Sequence, residues 1–227
     1  MDAFFKYQKD SAVPEGDVAI KLTISGLLGG HSGMDIHLGR GNAIKLMVRF
    51  LKHAIVNFES RIAEMHGGSR RNAIPRECTA LVTVPSEVAD ELLDEVAYYD
   101  ALYRFELRGL DDGVKFEAKA AKLPDALMPE EIQDDIVNSV EACFDGVLSK
   151  SPDLPEVVET SSNLALLDAD SEEAHAVFLV RSMNEEMKRY LASMIQSVFI
   201  LAGAKVEFSS AYPGWELSQE YPLLEKA

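Results

Sequence analysis

Cysteine is scarce in this chain. Cys78 and Cys143 are the two in 227 residues, and they stand far apart, so neither a disulfide framework nor a paired metal-ligand motif is read from them. Long apolar runs are also missing. None approaches the roughly 20 residues that cross a bilayer. The opening MDAFFKYQKDSAVPEGD lacks the apolar stretch of a secretory leader, which leaves a cytoplasmic location as the expectation. Positive charge is short too, with 22 basic against 38 acidic residues and a net charge of −16. Such a surface repels nucleic-acid phosphates and anionic membranes, so neither is expected as a partner. Several enzyme signatures are absent: a GxxxxGKS/T phosphate loop, a complete dinucleotide fingerprint around Gly39-Arg40-Gly41, an HExxH helix and a GxSxG elbow. The histidines, His31, His37, His53, His66 and His175, are dispersed, so no metal ligand or catalytic triad is assigned within the chain.

What is present reads as an ordinary globular protein, 47% hydrophobic and 26% charged. Val18–Leu27 alternates apolar and polar residues, the pattern of a half-buried strand. Ala43–Val56 follows with Ile44, Met47, Val48, Leu51 and Ile55 at helical spacing. Arg61–Met65 and Cys78–Val84 are strands, Ser86 is a candidate N-cap for a helix ending near Gly109, and Val114–Ala121 returns as a strand. In the second half a helix from Pro129 to about Leu148 precedes strands at Val157–Asp168 and Ala174–Arg181. Asn184 then caps a helix with Met187 and Met194 in its core stripe, Gly203 ends it, and Val206–Ala211 closes the pattern. The expected fold is α+β: two side-by-side split β-α-β (ferredoxin-like) units forming a mainly antiparallel sheet with helices on one face. Residues 1–17 form a lead-in, 18–215 the domain proper, with halves 18–122 and 129–212, and 216–227 a tail.

Three segments stand out chemically. Gly29-Gly30-His31-Ser32-Gly33 lies between strand and helix, and its glycines suit a tight bend or close approach of a ligand. An imidazole there can donate to a developing oxyanion, or serve as a local turn cap. His37 reads as an anchor of the same loop. Gly67-Gly68-Ser69-Arg70-Arg71-Asn72 offers, in Asn72, an amide suited to a peptide group, and arginines suited to an anion or merely to a solvated turn. Arg181 ends the apolar run Ala176–Val180, where a guanidinium can meet a carboxylate bidentately, whether substrate or structural partner.

These stretches resemble the M20 family of metallopeptidases, most closely its aminoacyl-histidine dipeptidase branch. The likeness rests on Gly29–His37 with Gly41-Asn42-Ala43, on Arg71–Glu77, on Val158–Leu164, on Val180-Arg181-Ser182 and on Ala211–Trp215, in the family's order over nearly the whole chain. The resemblance implies a lid domain that closes over a carnosine-like Xaa-His dipeptide. A separate catalytic domain, toward which the tail leads, would hold two zinc ions, and none is expected in this chain. It also implies roles: His31 stabilises the oxyanion, Asn72 binds substrate and Arg181 grips the terminal carboxylate. A homodimer is a further implied partner. The competing reading is a tandem ferredoxin-like module that binds small molecules or dimerises without catalysis.

Overall fold

The computed structural model describes residues 1–9, 11–170 and 172–209. The alternating segment becomes β2 (Asp17–Ser25), which turns Ile20, Leu22 and Ile24 inward and leaves Lys21 exposed. The apolar stripe becomes α1 (Ala43–Phe58), with Ile44, Met47, Val48, Phe50 and Leu51 fully buried. Each such side chain withdrawn from water contributes about 1.5–3 kcal/mol. β4 (Arg61–Gly67), β6 (Cys78–Pro85), α2 (Ala89–Glu106) and β7 (Lys115–Ala121) complete the first unit. Ser86 opens a 3-10 turn, Ser86–Val88, rather than capping α2 with its side chain.

The second unit has α3 (Glu130–Ala142), β8 (Gly146–Lys150), β9 (Val158–Ala169), β10 (Glu173–Ser182), α4 (Glu185–Leu201) and β11 (Lys205–Glu207). Its remaining strand comes from the other end of the sequence. Within the expected lead-in, β1 (Asp2–Lys6) inserts between β10 and β11, burying Ala3 and Phe5 while Phe4 stacks on His175 at 4.4 Å. The sheet order is β11-β1-β10-β9-β4-β6-β2-β7, with β8 beside β9 and every pairing antiparallel. Both units thus run fourth, first, third, second strand across the sheet, as split β-α-β units do. The first is nested inside the second, between β1 and α3. The two join where Met65, His66 and Gly67 pair with Ala169, Asp168 and Leu167. The helices neighbour one another in the order α2, α1, α3, α4 and share a single core with the sheet.

The helix expected to reach Leu148 ends at Ala142. Lys45 Nζ donates to the carbonyl oxygens of Val140, Glu141 and Cys143 at 2.8, 2.8 and 2.9 Å, which satisfies the final carbonyls from outside. The chain then turns through Gly146 (φ 116°) into β8. Beside this end lies a polar knot. Asn42 Oδ1 caps α1 through the Ile44 amide at 3.0 Å, and its Nδ2 donates to the Leu164 carbonyl oxygen at 2.8 Å. Asp145 Oδ1 accepts the Leu164 amide at 2.6 Å and lies 3.3 Å from Asn42 Nδ2. Burial pushes the Asp145 carboxyl up to about 6, against the opposing pull of these hydrogen bonds and of Lys45. Asn184 caps α4 as expected, accepting from the amides of Glu186 and Met187, and Gly203 takes the left-handed conformation beyond it. Met194 departs from the core reading and is exposed, because the inner stripe runs through Leu191, Ile195 and Phe199. Ser210 to Ala227, and with them Ala211–Trp215 and the tail, lie outside the described residues.

Candidate functional site

The two glycine-rich segments meet. β3 (Gly30–His31) pairs with β5 (Ala73–Ile74), a two-strand ribbon that sets His31 opposite Ala73, one residue from Asn72. The Ser32 amide adds a bond to the Asn72 carbonyl oxygen at 2.9 Å. From beneath, Asn163 on β9 donates its Nδ2 to the Ala73 carbonyl oxygen at 2.9 Å. Buried Asp111 holds both ends of the first loop, accepting the Leu28 amide at 2.6 Å and the Gly41 amide at 2.7 Å. Asp35 Oδ2 accepts the His31 amide at 2.7 Å, and Arg40 Nη1 donates to the Gly29 carbonyl oxygen. His37, expected as the anchor, is exposed; Asp35, Arg40 and Asp111 do that work.

The loop also fixes the imidazole. His31 Nδ1 lies 3.1 Å from the amide nitrogens of both Gly33 and Met34. Two backbone N–H groups can donate there only to a lone pair, so the ring proton of the neutral histidine belongs on Nε2. The ring therefore presents a donor away from its own backbone. Gly33 is what lets this ring and Arg181 converge: a Cβ at that position would lie 3.2 Å from His31 Cε1 and 3.3 Å from Arg181 Nε. Both line one cavity of about 1100 Å³, together with Arg71, Glu159, Ser161 and residues of α4.

Asn72 is placed differently. It is exposed and lines an adjoining hollow of about 790 Å³, which shares His31 but not Arg181. Its neighbour Arg71 takes the side facing Arg181, anchored to Asp2 at 2.7 and 3.1 Å and to Ser209 Oγ at 2.7 Å. Burial acts to raise the Asp2 carboxyl, but hydrogen bonds from Arg71 and His175 outweigh it and hold the group below its ordinary value. The three residues singled out from sequence thus form a chain around His31, not a single cluster. Asp35, Asp111 and Asn163 were missed as supports. The buried asparagine in Ser161-Ser162-Asn163 was the one signal in the sequence, since a strand centre rarely buries an unpaired amide.

Among the described residues no group of three or more His, Cys, Asp or Glu side chains is placed to hold a metal ion, and no helix is long and apolar enough to cross a membrane. The zinc ions implied by resemblance find no fitting donor set among the described residues. A peptidase dimerisation domain of the M20 type matches residues 22–106. The chain carries the dimerisation domain of the M20 peptidases. Over 213 residues this M20 chain is 36% identical to the cytosol non-specific dipeptidase of Escherichia coli (strain K12), a match that covers 94% of the chain and 44% of that protein. The crystal structure of aminoacylhistidine dipeptidase from Vibrio alginolyticus superposes with a TM-score of 0.95 at 36% identity, over 99% of this chain and 46% of that one. The M20 chain therefore spans less than half the length of both relatives. The mainly antiparallel α+β fold expected from sequence is the fold observed.

Proposed function

We propose that this chain is the substrate-binding lid of a cytoplasmic dipeptidase and acts on Xaa-His and related dipeptides only when joined to a catalytic part holding two zinc ions. The observation that carries the reading is the convergence of His31 and Arg181 on one cavity, across Gly33. Arg181 ends a strand buried in the sheet, so its guanidinium is offered from a rigid element and can take a free carboxylate bidentately. His31 Nε2–H is free to donate to the scissile carbonyl oxygen as negative charge builds there. Asn72, on the far side of His31, offers an amide to the peptide group. Lid closure excludes water and brings these donors to the bond. The printed names of the two relatives, a cytosol dipeptidase and an aminoacylhistidine dipeptidase, support the same location and substrate class.

The test is hydrolysis by the intact protein. It should cleave Ala-His and leave Ala-His-amide essentially untouched, because the amide offers Arg181 no carboxylate. The chain alone, supplied with zinc, should turn over neither. Turnover by the isolated chain, or equal rates on acid and amide, would sink the reading.

Homodimerisation is proposed beside it. Among the described residues β7 closes one end of the sheet with a single neighbour, and α2, packed on that strand, exposes Leu93, Tyr98 and Phe105. An unpaired edge beside exposed aromatic residues fits a second copy of the chain. Light scattering should return about twice the monomer mass for the intact protein; a monomer at micromolar concentration rules this out.

A further inference from the structure

The cavity holds a carboxylate that the proposed reaction does not yet use. Glu159 lies on β9 two residues before Ser161, which pairs with Arg181 on β10. Residues two apart on a strand share a face, so Glu159 and Arg181 look into the cavity as diagonal neighbours, within reach of long side chains. Among the described residues, three cations that line this space meet carboxylates. Arg71 is paired with Asp2, Lys188 with Glu185 and Arg189 with Glu186. Glu159 is instead held by a hydroxyl, with Ser149 Oγ donating to Oε2 at 3.0 Å, and it has no cation partner among the described residues. Its backbone is fixed as well, since its carbonyl oxygen accepts the Met183 amide at 3.0 Å. Val158, Leu179, Met183 and Ala192 line the same cavity, and Glu159 is the carboxylate among its described lining residues.

We infer that Glu159 is a specificity-determining residue that reads the side chain of the dipeptide's C-terminal residue and favours one ending in an N–H donor, such as an imidazole. This rests on the proposed grip of Arg181 on the terminal carboxylate. With that carboxylate held, the side chain on the same α-carbon is the part of the substrate nearest to Glu159. An imidazole packs its ring against the apolar wall and donates an N–H to Oε1, a charge-assisted bond. A leucine side chain fills the same space but leaves the carboxylate desolvated and unanswered, which is how a polar site rejects an apolar competitor.

The experiment compares intact wild-type protein with Glu159→Gln on Ala-His and Ala-Leu. Glutamine keeps an acceptor for Ser149 and removes only the charge. The ratio of kcat/KM for Ala-His over Ala-Leu should fall about tenfold, with KM rising on Ala-His and falling on Ala-Leu as the unanswered charge is removed. An unchanged ratio, or an equal loss on both substrates, overturns the assignment by showing that Glu159 is neutral or merely structural. If wild-type protein cleaves neither dipeptide, the dipeptidase reading itself fails and this one falls with it.

Discussion

If the proposed function holds, alanine in place of His31 should lower kcat of the intact protein on Ala-His by about two to three orders of magnitude, the loss found when one oxyanion donor is removed. The argument is geometric. The Gly33 and Met34 amides, each 3.1 Å from Nδ1, hold the ring in one orientation and one tautomer. The Nε2–H is then aimed before substrate arrives, and no reorganisation is needed as charge develops. A donor whose bond strengthens only in the transition state affects kcat and kcat/KM alike. KM on Ala-His should therefore stay within a few-fold while kcat collapses. A variant whose KM rises with kcat intact would make His31 a ground-state binding residue and remove it from the chemistry. The fold should survive, since the ribbon is held by backbone bonds and by Asp35, Asp111 and Asn163 rather than by the ring.

Stability of the chain should fall by about 2 kcal/mol, relative to Asp145→Asn, as pH rises from 4 to 6. The folded carboxyl titrates at about 6, against an ordinary 3.8, because burial penalises its charge. Below 3.8 the group is protonated in both states and costs the fold nothing. As pH climbs, the unfolded chain ionises first and is favoured; above about 6 the folded group ionises too, and the difference levels off. Asparagine keeps an acceptor for the Leu164 amide but cannot ionise, so its own curve lacks this component. Urea unfolding of both proteins from pH 4 to 8 measures the difference. Parallel curves would mean that Asp145 carries no unusual charge cost.

The parts of the fold that could be read in advance are those where one segment contains its own explanation. β2 shows its buried face by alternation, α1 by its stripe, and α4 by Asn184 at one end and Gly203 at the other. The parts that could not be read depend on partners far away in sequence. DAFFK is too short to declare itself a strand until β10 and β11 flank it. Phe144 and Leu148 continue the stripe of α3, and only Lys45, on another helix, shows why the helix stops. The site divides the same way. Glycine density marked the His31 loop, but which side of the ribbon each neighbour faces is set by pairing, so that Arg71 lines the cavity with Arg181 and Asn72 the adjoining hollow. Glu159 was legible only as part of a motif, since its significance comes from Arg181 across the ladder.

Nesting one unit inside the other has a consequence for how the chain assembles. β1 must find β10 across a very long stretch of polypeptide, an entropically expensive closure when that stretch is loose. Once the inner unit is formed, Ala19 and Ala121 stand in register on neighbouring strands, so its entry and exit lie side by side. The effective loop then loses the inner unit and shrinks to the spacer after β1 and the segment from β7 to β10 that carries α3, β8 and β9. The interior acts as a clasp that shortens the search for the exterior, and a weakness in β2 or β7 would be felt as slow docking of β1 at the opposite end of the sheet.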